Sequence, residues 1–290
     1  MNMGGKNIAA YAGLCRMRIS LFSACSAGAG FLLIRGPAWR LAGVMMAVFV
    51  LACGASALNQ HSERATDARM PRTRSRPLPS GRIGSRRALL FAVMLLVAGC
   101  VLLAAEGNIY ALSLGAFTVV WYNGVYTPLK KRTAFAVFPG GLVGAVPPAV
   151  GWTAAGGGLF DPGLLFLCFF FFMWQVPHFW LFLLNYGEEY ERAGLPALTS
   201  IFAKEQIARI SFVWISSVAV SCIFIGACGV TKSLPVGVSL VAVSVWLIWN
   251  GARLLHGKVK KSCCSFAFRG MNAGMVLVMI VLAADRLFQF

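Results

Sequence analysis

Nine apolar runs, each roughly the 18–25 residues that cross a hydrocarbon core as a helix, leave this chain few ways to fold. They cover about 16–34, 40–60, 88–105, 109–126, 134–153, 163–186, 207–229, 235–256 and 266–286. In lipid every backbone polar group must find its partner within the protein, so such runs become helices and not open sheets. The expected fold is all-α: a polytopic membrane protein with nine transmembrane helices around a central cavity, forming one domain over residues 1–290. With 59% apolar and only 12% charged residues, the chain falls outside the range of soluble globular domains.

The formal charge of +17 is large enough to raise the question of nucleic acid. The basic residues, however, interrupt apolar runs, and no separate basic domain exists to grip a polyanion. Membrane lipid is the expected partner and nucleic acid is not. Of the 26 Lys and Arg, all but Arg35, Arg40, Lys232 and Arg286 lie at the N-terminus or in even-numbered connections. The positive-inside rule then puts the N-terminus and the even loops in the cytoplasm or matrix, with the C-terminus opposite. An odd number of spans requires the same outcome. No transit-like segment or cleavable signal is read at the N-terminus, which favours a bacterial inner membrane over a mitochondrial one. Cys25, Cys53, Cys100, Cys168, Cys222 and Cys228 lie in apolar runs, where they act as small hydrophobes. The vicinal Cys263-Cys264 pair has neither zinc nor disulfide-framework spacing.

The acids are as uneven as the bases. Glu63, Asp67, Glu188, Glu189, Glu191 and Glu205 all fall on the basic side. Asn59, Glu63 and Asp67 stand at i, i+4 and i+8, so a helix would stack them on one stripe about 6 Å apart along the axis. Arg69, Arg72, Arg74 and Arg76 follow, before Pro77 and Pro79. Oxygen ligands in this pattern suit a hard cation such as Mg2+, and arginines suit the phosphate oxygens that it bridges. Glu191 and Glu205 read as ordinary solvated acids.

Two later spans carry further signals. In the fifth, Gly140, Gly141, Gly144 and Gly151 permit close packing, while Pro147-Pro148 is expected to break or kink the helix against a cavity. In the sixth, Gln175 and His178 share a face on either side of Pro177, and an ionisable residue at that depth is a functional candidate. Phe169 to Phe172 read mostly as core or lipid-facing. Asn250, Arg253, His256 and Asn272 read as structural.

Four ordered motifs carry a resemblance. Residues 59–78 resemble the first aspartate-rich motif of the UbiA-type intramembrane prenyltransferases. Tyr126-Thr-Pro-Leu-Lys-Lys-Arg132, Gly144-Ala-Val-Pro-Pro-Ala-Val-Gly-Trp152 and Trp174-Gln-Val-Pro-His-Phe179, with Glu189-Tyr190 and Leu195-Pro196 beyond, resemble segments of that superfamily's haem-farnesylating branch. Two departures stand out. Glu63 replaces the more usual Asp, with a longer carboxylate that still reaches a cation. The second DxxxD motif of quinone-type members has no clean counterpart, Glu188 and Glu189 occupying its loop.

The resemblance implies an Mg2+-dependent transfer of farnesyl from farnesyl diphosphate to a vinyl group of haem b. It implies Asn59, Glu63 and Asp67 as metal ligands, and Arg72, Arg76 and Lys131 as further catalytic residues. It also implies Tyr126, Lys130, Arg132, Gln175, His178 and Glu189 as substrate-binding residues. Haem A synthase or a terminal oxidase would be the protein partner of such an enzyme. Two rivals remain at this point. One is a prenyltransferase acting on a quinone precursor or another tetrapyrrole, and the other is a transporter or haem-handling protein. No pair of matching halves supports the transporter.

Overall fold

The computed structural model describes residues 3–287 apart from 107, 229, 232 and 256–258. Lys232 and His256 lie outside the described residues, as does the side chain of Arg286. Every regular element among the described residues is helical. A short α1 (Met3–Leu14) leads into α2 (Met17–Leu33), α3 (Ala38–Asp67), α4 (Ser85–Ala105) and α5 (Ile109–Val120). A π-helical turn, Trp121–Tyr126, joins α5 to the one-turn α6 (Thr127–Leu129). Then come α7 (Val137–Ala154), α8 (Pro162–Arg192), α9 (Lys204–Ala227), α10 (Leu234–Ala252) and α11 (Lys261–Leu287).

Nine spans were expected, and among the described residues seven helices are long and apolar enough to cross a membrane. The other two expected spans differ in kind. The first is the 17-residue α2, and the fourth changes register through the π turn between α5 and α6 while staying helical throughout. The chain is a multi-pass membrane protein whose spans pack as a closed ring: α2 against α3, α3 against α4, α5 against α7, α7 against α8, and α11 against both α8 and α2. Lipid-facing side chains such as Leu90, Met94, Val97 and Val101 on α4 stay exposed in the isolated chain. The packed interior is centred on α8, where Phe170 and Phe171 are buried while Phe169 is half exposed.

α3 sets the height of everything else. Its 30 residues extend about 45 Å, against roughly 30 Å of hydrocarbon, so its last turns project past the lipid tails. At its other end Arg40 donates to Glu106 at 2.9 Å, an ion pair on the opposite side from Asp67.

Of the break or kink expected at the double proline, the break does not occur: α7 runs as one helix from Val137 to Ala154. Its proline rings instead leave the Val143 and Gly144 carbonyls without their helical donors, and both residues line the cavity described below. The glycines act as expected. A Cβ on Gly30 would strike the Pro148 carbonyl, and one on Gly151 would strike the Ala27 carbonyl, so α2 and α7 cross in backbone contact. Gly151→Ala is expected to destabilise the protein by about 1–3 kcal/mol through overpacking. Its melting temperature in detergent should drop, whereas Gly158→Ala, where an added Cβ meets nothing, should not lower it.

Candidate active site

The last two turns of α3 and the loop after it build a buried polar cluster. Asn59, Glu63 and Asp67 are 1%, 4% and 2% exposed, too hidden for a solvated helix end. Each is held from a different direction. Asn59 Nδ2 donates to Thr127 Oγ1 at 2.9 Å, and Thr127 Oγ1 in turn donates to the Tyr122 carbonyl at 2.8 Å. Lys130 Nζ donates to Glu63 Oε1 at 2.8 Å. Arg76 Nη1 donates to Asp67 Oδ2 at 2.7 Å. Thr73 Oγ1 donates to the Asp67 carbonyl at 2.8 Å, which folds the arginine loop back over the helix end.

The π turn explains why the Tyr126–Arg132 motif can reach α3. Inserting a wide turn shifts the register of the following residues, so Tyr122 and Tyr126 stack at 5.7 Å. Both residues line the cavity, while Lys130 arrives beside Glu63. Lys131 and Arg132 are exposed at the rim, where Lys131 Nζ donates to the Ser62 carbonyl at 3.4 Å.

Arg16 belongs to this cluster, although no motif spacing marks it. It sits at the junction of α1 and α2 with φ 45° and ψ 53°, a left-handed conformation that costs a non-glycine residue roughly 1–2 kcal/mol. From there its Nη2 lies 4.0 Å from Glu63 Oε2 and its Nη1 donates to the Tyr122 hydroxyl at 3.4 Å. Its Nε is buried without a hydrogen-bond partner. In the sequence it stands out only as part of the Arg16/Arg18 entry to the first span, which resembles that of the prenyltransferase superfamily. Contact between residues 16 and 63 is a product of the fold.

Three cations therefore surround two carboxylates, leaving one positive charge in excess. Burial opposes the Lys130 charge, but the Glu63 carboxylate and the neighbouring Tyr190 and Tyr126 outweigh it and raise the lysine's pKa. Burial likewise opposes the Arg16 charge, and Tyr122, Glu63 and Asp67 together raise its pKa. At Arg76 burial and the nearby Arg16 win over Asp67, and the pKa is lowered. A cluster with excess positive charge and one strained arginine is set up to receive an anion.

Directly below lies a cavity of about 260 Å3. Ala52, Ala55 and Ser56 line it from the turns of α3 that precede Asn59. Arg16 and Tyr126 sit where the polar cluster meets it, and most of the remaining wall is apolar, aromatic or glycine. Gln175 lines this wall and packs on Gly144, where a Cβ would collide with the glutamine amide. His178 does not line it. Its ring lies 4.7 Å from Trp174 and 4.8 Å from Phe268, with Nδ1 unpartnered.

The remaining expected residues divide. Arg72 stands over Phe182 and Tyr186 at 5.1 and 5.6 Å, apart from the Glu63 and Asp67 ion pairs. Glu189 Oε2 is buried with no hydrogen-bond partner. Glu188 is exposed and bridged by Lys204 at 3.0 Å, and Glu191 accepts from Thr199. Of the residues read as structural, Asn250 and Asn272 donate to carbonyls of their own helices, and Arg253 stacks on Trp249 and Phe266.

A cationic and carboxylate cap over an apolar cavity, inside a ring of membrane helices, can part an anionic group from an apolar chain. That defines the class as an intramembrane prenyltransferase. The chain belongs to the UbiA prenyltransferase family, which it matches over residues 20–273. It is 36% identical over 289 residues to a protoheme IX farnesyltransferase of Nitratidesulfovibrio vulgaris (strain DP4), covering 98% of both chains. To the protoheme IX farnesyltransferase of Geobacter sulfurreducens it is 41% identical over 217 residues, 74% of this chain and 80% of that one. Among solved structures, digeranylgeranylglyceryl phosphate synthase superposes with a TM-score of 0.77 at 17% identity, covering 97% of this chain and 99% of that one. A UbiA homolog from Archaeoglobus fulgidus bound to DMAPP and Mg2+ superposes with a TM-score of 0.71 at 13% identity, covering 93% and 99%. These two likenesses establish the shared fold.

Proposed function

We propose that this protein transfers the farnesyl group of farnesyl diphosphate to a vinyl group of haem b, producing haem O. One observation carries the reading: Arg16, Arg76 and Lys130 converge on Glu63 and Asp67 above an apolar cavity. The relatives at 34–41% identity that are named protoheme IX farnesyltransferase support the choice of acceptor. In this reading the cavity takes the isoprenoid chain and the cluster takes its diphosphate. The C–O bond to diphosphate breaks, a C–C bond to the vinyl carbon forms, and water captures the resulting cation to leave the hydroxyl.

The donor set fits a hard divalent cation. No group of three His, Cys, Asp or Glu side chains forms a metal site among the described residues. Asn59 Oδ1, however, is buried without a partner, beside two carboxylates on the same stripe. Such a cation accepts an amide and two carboxylates, completing its shell with substrate oxygens and water. Asn59, Glu63 and Asp67 would hold Mg2+, whose charge makes diphosphate a better leaving group. Arg16, Arg76 and Lys130 stabilise charge as it develops on the departing oxygens. Tyr122 and Tyr126 line the cavity, where their aromatic rings would stabilise an allylic cation and help exclude water.

The reading places the whole chain, as one domain, in a bacterial inner membrane. The N-terminus and the tip of α3 then face the cytoplasm, and haem A synthase or a terminal oxidase receives the product. Purified protein given farnesyl diphosphate, haem b and Mg2+ should form haem O, detected by mass. Chelation should stop the reaction and added Mg2+ restore it. Prenylation of 4-hydroxybenzoate instead of haem would overturn the acceptor assignment.

Arg16→Gly tests the cluster separately from folding. Glycine adopts the left-handed conformation freely, so the helix junction should survive or gain up to about 1 kcal/mol. The value of kcat/KM for farnesyl diphosphate should fall at least about tenfold, as expected when one buried charge-assisted contact is lost. An unimpaired enzyme would remove Arg16 from the site.

A further inference from the structure

Beyond the diphosphate cluster, α8 carries a strip that the mechanism so far leaves unused. Phe179, Phe182 and Tyr186 recur at i, i+3 and i+7 and so share one face of the helix. Phe179 lines the cavity. Phe179 and Phe182 stack at 6.2 Å with an interplanar angle of 25°, and Phe182 lies 4.8 Å from Tyr186. The strip therefore climbs without a gap from the apolar cavity to the membrane boundary. At its upper end two cations flank one ring: the Arg72 guanidinium is 5.6 Å and Lys261 Nζ 5.8 Å from the centre of Tyr186. They come from the loop after α3 and from the start of α11, so only the folded ring of helices brings them together.

Neither cation is in an ion pair among the described residues. Glu188, a carboxylate near enough to feel Lys261, is already bridged by Lys204 at 3.0 Å and Arg192 at 3.8 Å. Two cations outside any ion pair, at the end of a continuous aromatic path, match a ligand that is planar, apolar over most of its area and anionic at one edge.

We infer that Arg72, Lys261 and the Phe179–Phe182–Tyr186 strip form the docking site of the acceptor, its carboxylates held by the two cations and its opposite edge directed to the cavity. This rests on the function proposed above, because haem b is a planar macrocycle with two ionised propionates on one edge and vinyl groups elsewhere. Arg72, expected from the sequence to face the leaving group, is here a positioning residue for the acceptor.

Haem b and its dimethyl ester, which lacks the two negative charges, separate the possibilities. In the intact enzyme the ester should show a KM at least tenfold above that of haem b. Arg72→Gln with Lys261→Gln should raise the KM for haem b by a similar factor, leave the KM for the ester unmoved, and leave the KM for farnesyl diphosphate unmoved. A rise in the KM for farnesyl diphosphate instead would return Arg72 to the leaving group and overturn the inference. So would equal use of haem b and its ester by the intact protein. If the intact protein makes no haem O, the functional reading itself fails. Titration of haem b and of its ester, followed by the Soret band, then still decides whether the two cations bind the carboxylates.

Discussion

Asp67→Asn should lower kcat/KM for farnesyl diphosphate by about a thousandfold or more, equivalent to roughly 4 kcal/mol of transition-state stabilisation. The substitution keeps the shape of the side chain and an oxygen that can still accept from Arg76, now at 2.7 Å from Asp67 Oδ2. The Thr73 bond to the Asp67 backbone carbonyl is untouched, so the arginine loop should stay folded over the helix end. What disappears is a negative charge at a site only 2% exposed, where solvent cannot replace it. Losing a charge-assisted hydrogen bond should cost about 1.5–3 kcal/mol of stability, less than the catalytic loss. Asp67→Ala should likewise abolish turnover while the protein remains extractable, because Arg76 can turn toward solvent. Haem O by mass, set against thermal unfolding of the same samples, checks both effects. Undiminished haem O from either variant would refute the assignment of Asp67 to the metal.

The second large effect separates stability from activity. Lys130→Met leaves the buried Glu63 carboxylate without the ammonium that now donates to it at 2.8 Å. Breaking such a pair from one side costs about 3 kcal/mol or more, because a desolvated charge is left behind. Arg16 at 4.0 Å is too far to replace it fully. Adding Glu63→Gln should recover most of that loss, since a neutral amide tolerates burial better than a carboxylate. Turnover should stay lost in the double variant, which lacks both the cation for the leaving group and a carboxylate for the metal. A double-mutant cycle on unfolding in detergent gives the coupling between the two residues. Recovery of activity together with stability would show that the pair is only structural.

Several parts of this arrangement were legible in the order of residues. Asn59, Glu63 and Asp67 share a stripe because helical periodicity is local, and the structure keeps them together on α3. The glycines of α7 read as close-packing positions for the same kind of reason. The Pro147-Pro148 step does not break the helix, since a buried helix flanked by protein can carry two missing donors. His178 was a candidate from its depth, from Pro177 and Gln175 beside it and from the motif it shares with the family, and none of these says which way a ring points. It turned out to lie between Trp174 and Phe268, away from the cavity wall.

The chain by itself determined that this protein is a bundle of membrane helices, which side of the bundle carries its charge, and which oxygens form one stripe. These follow from hydropathy and from a 1.5 Å rise per residue, both properties of short segments. Only the tertiary structure decided which cation meets which carboxylate. Arg16 reaches Glu63 from the start of α2, Lys130 from beyond a π turn, and Lys261 shares a ring with Arg72 across the bundle. Such pairings depend on how helices close into a ring and where one wide turn shifts the register, and no local pattern encodes either.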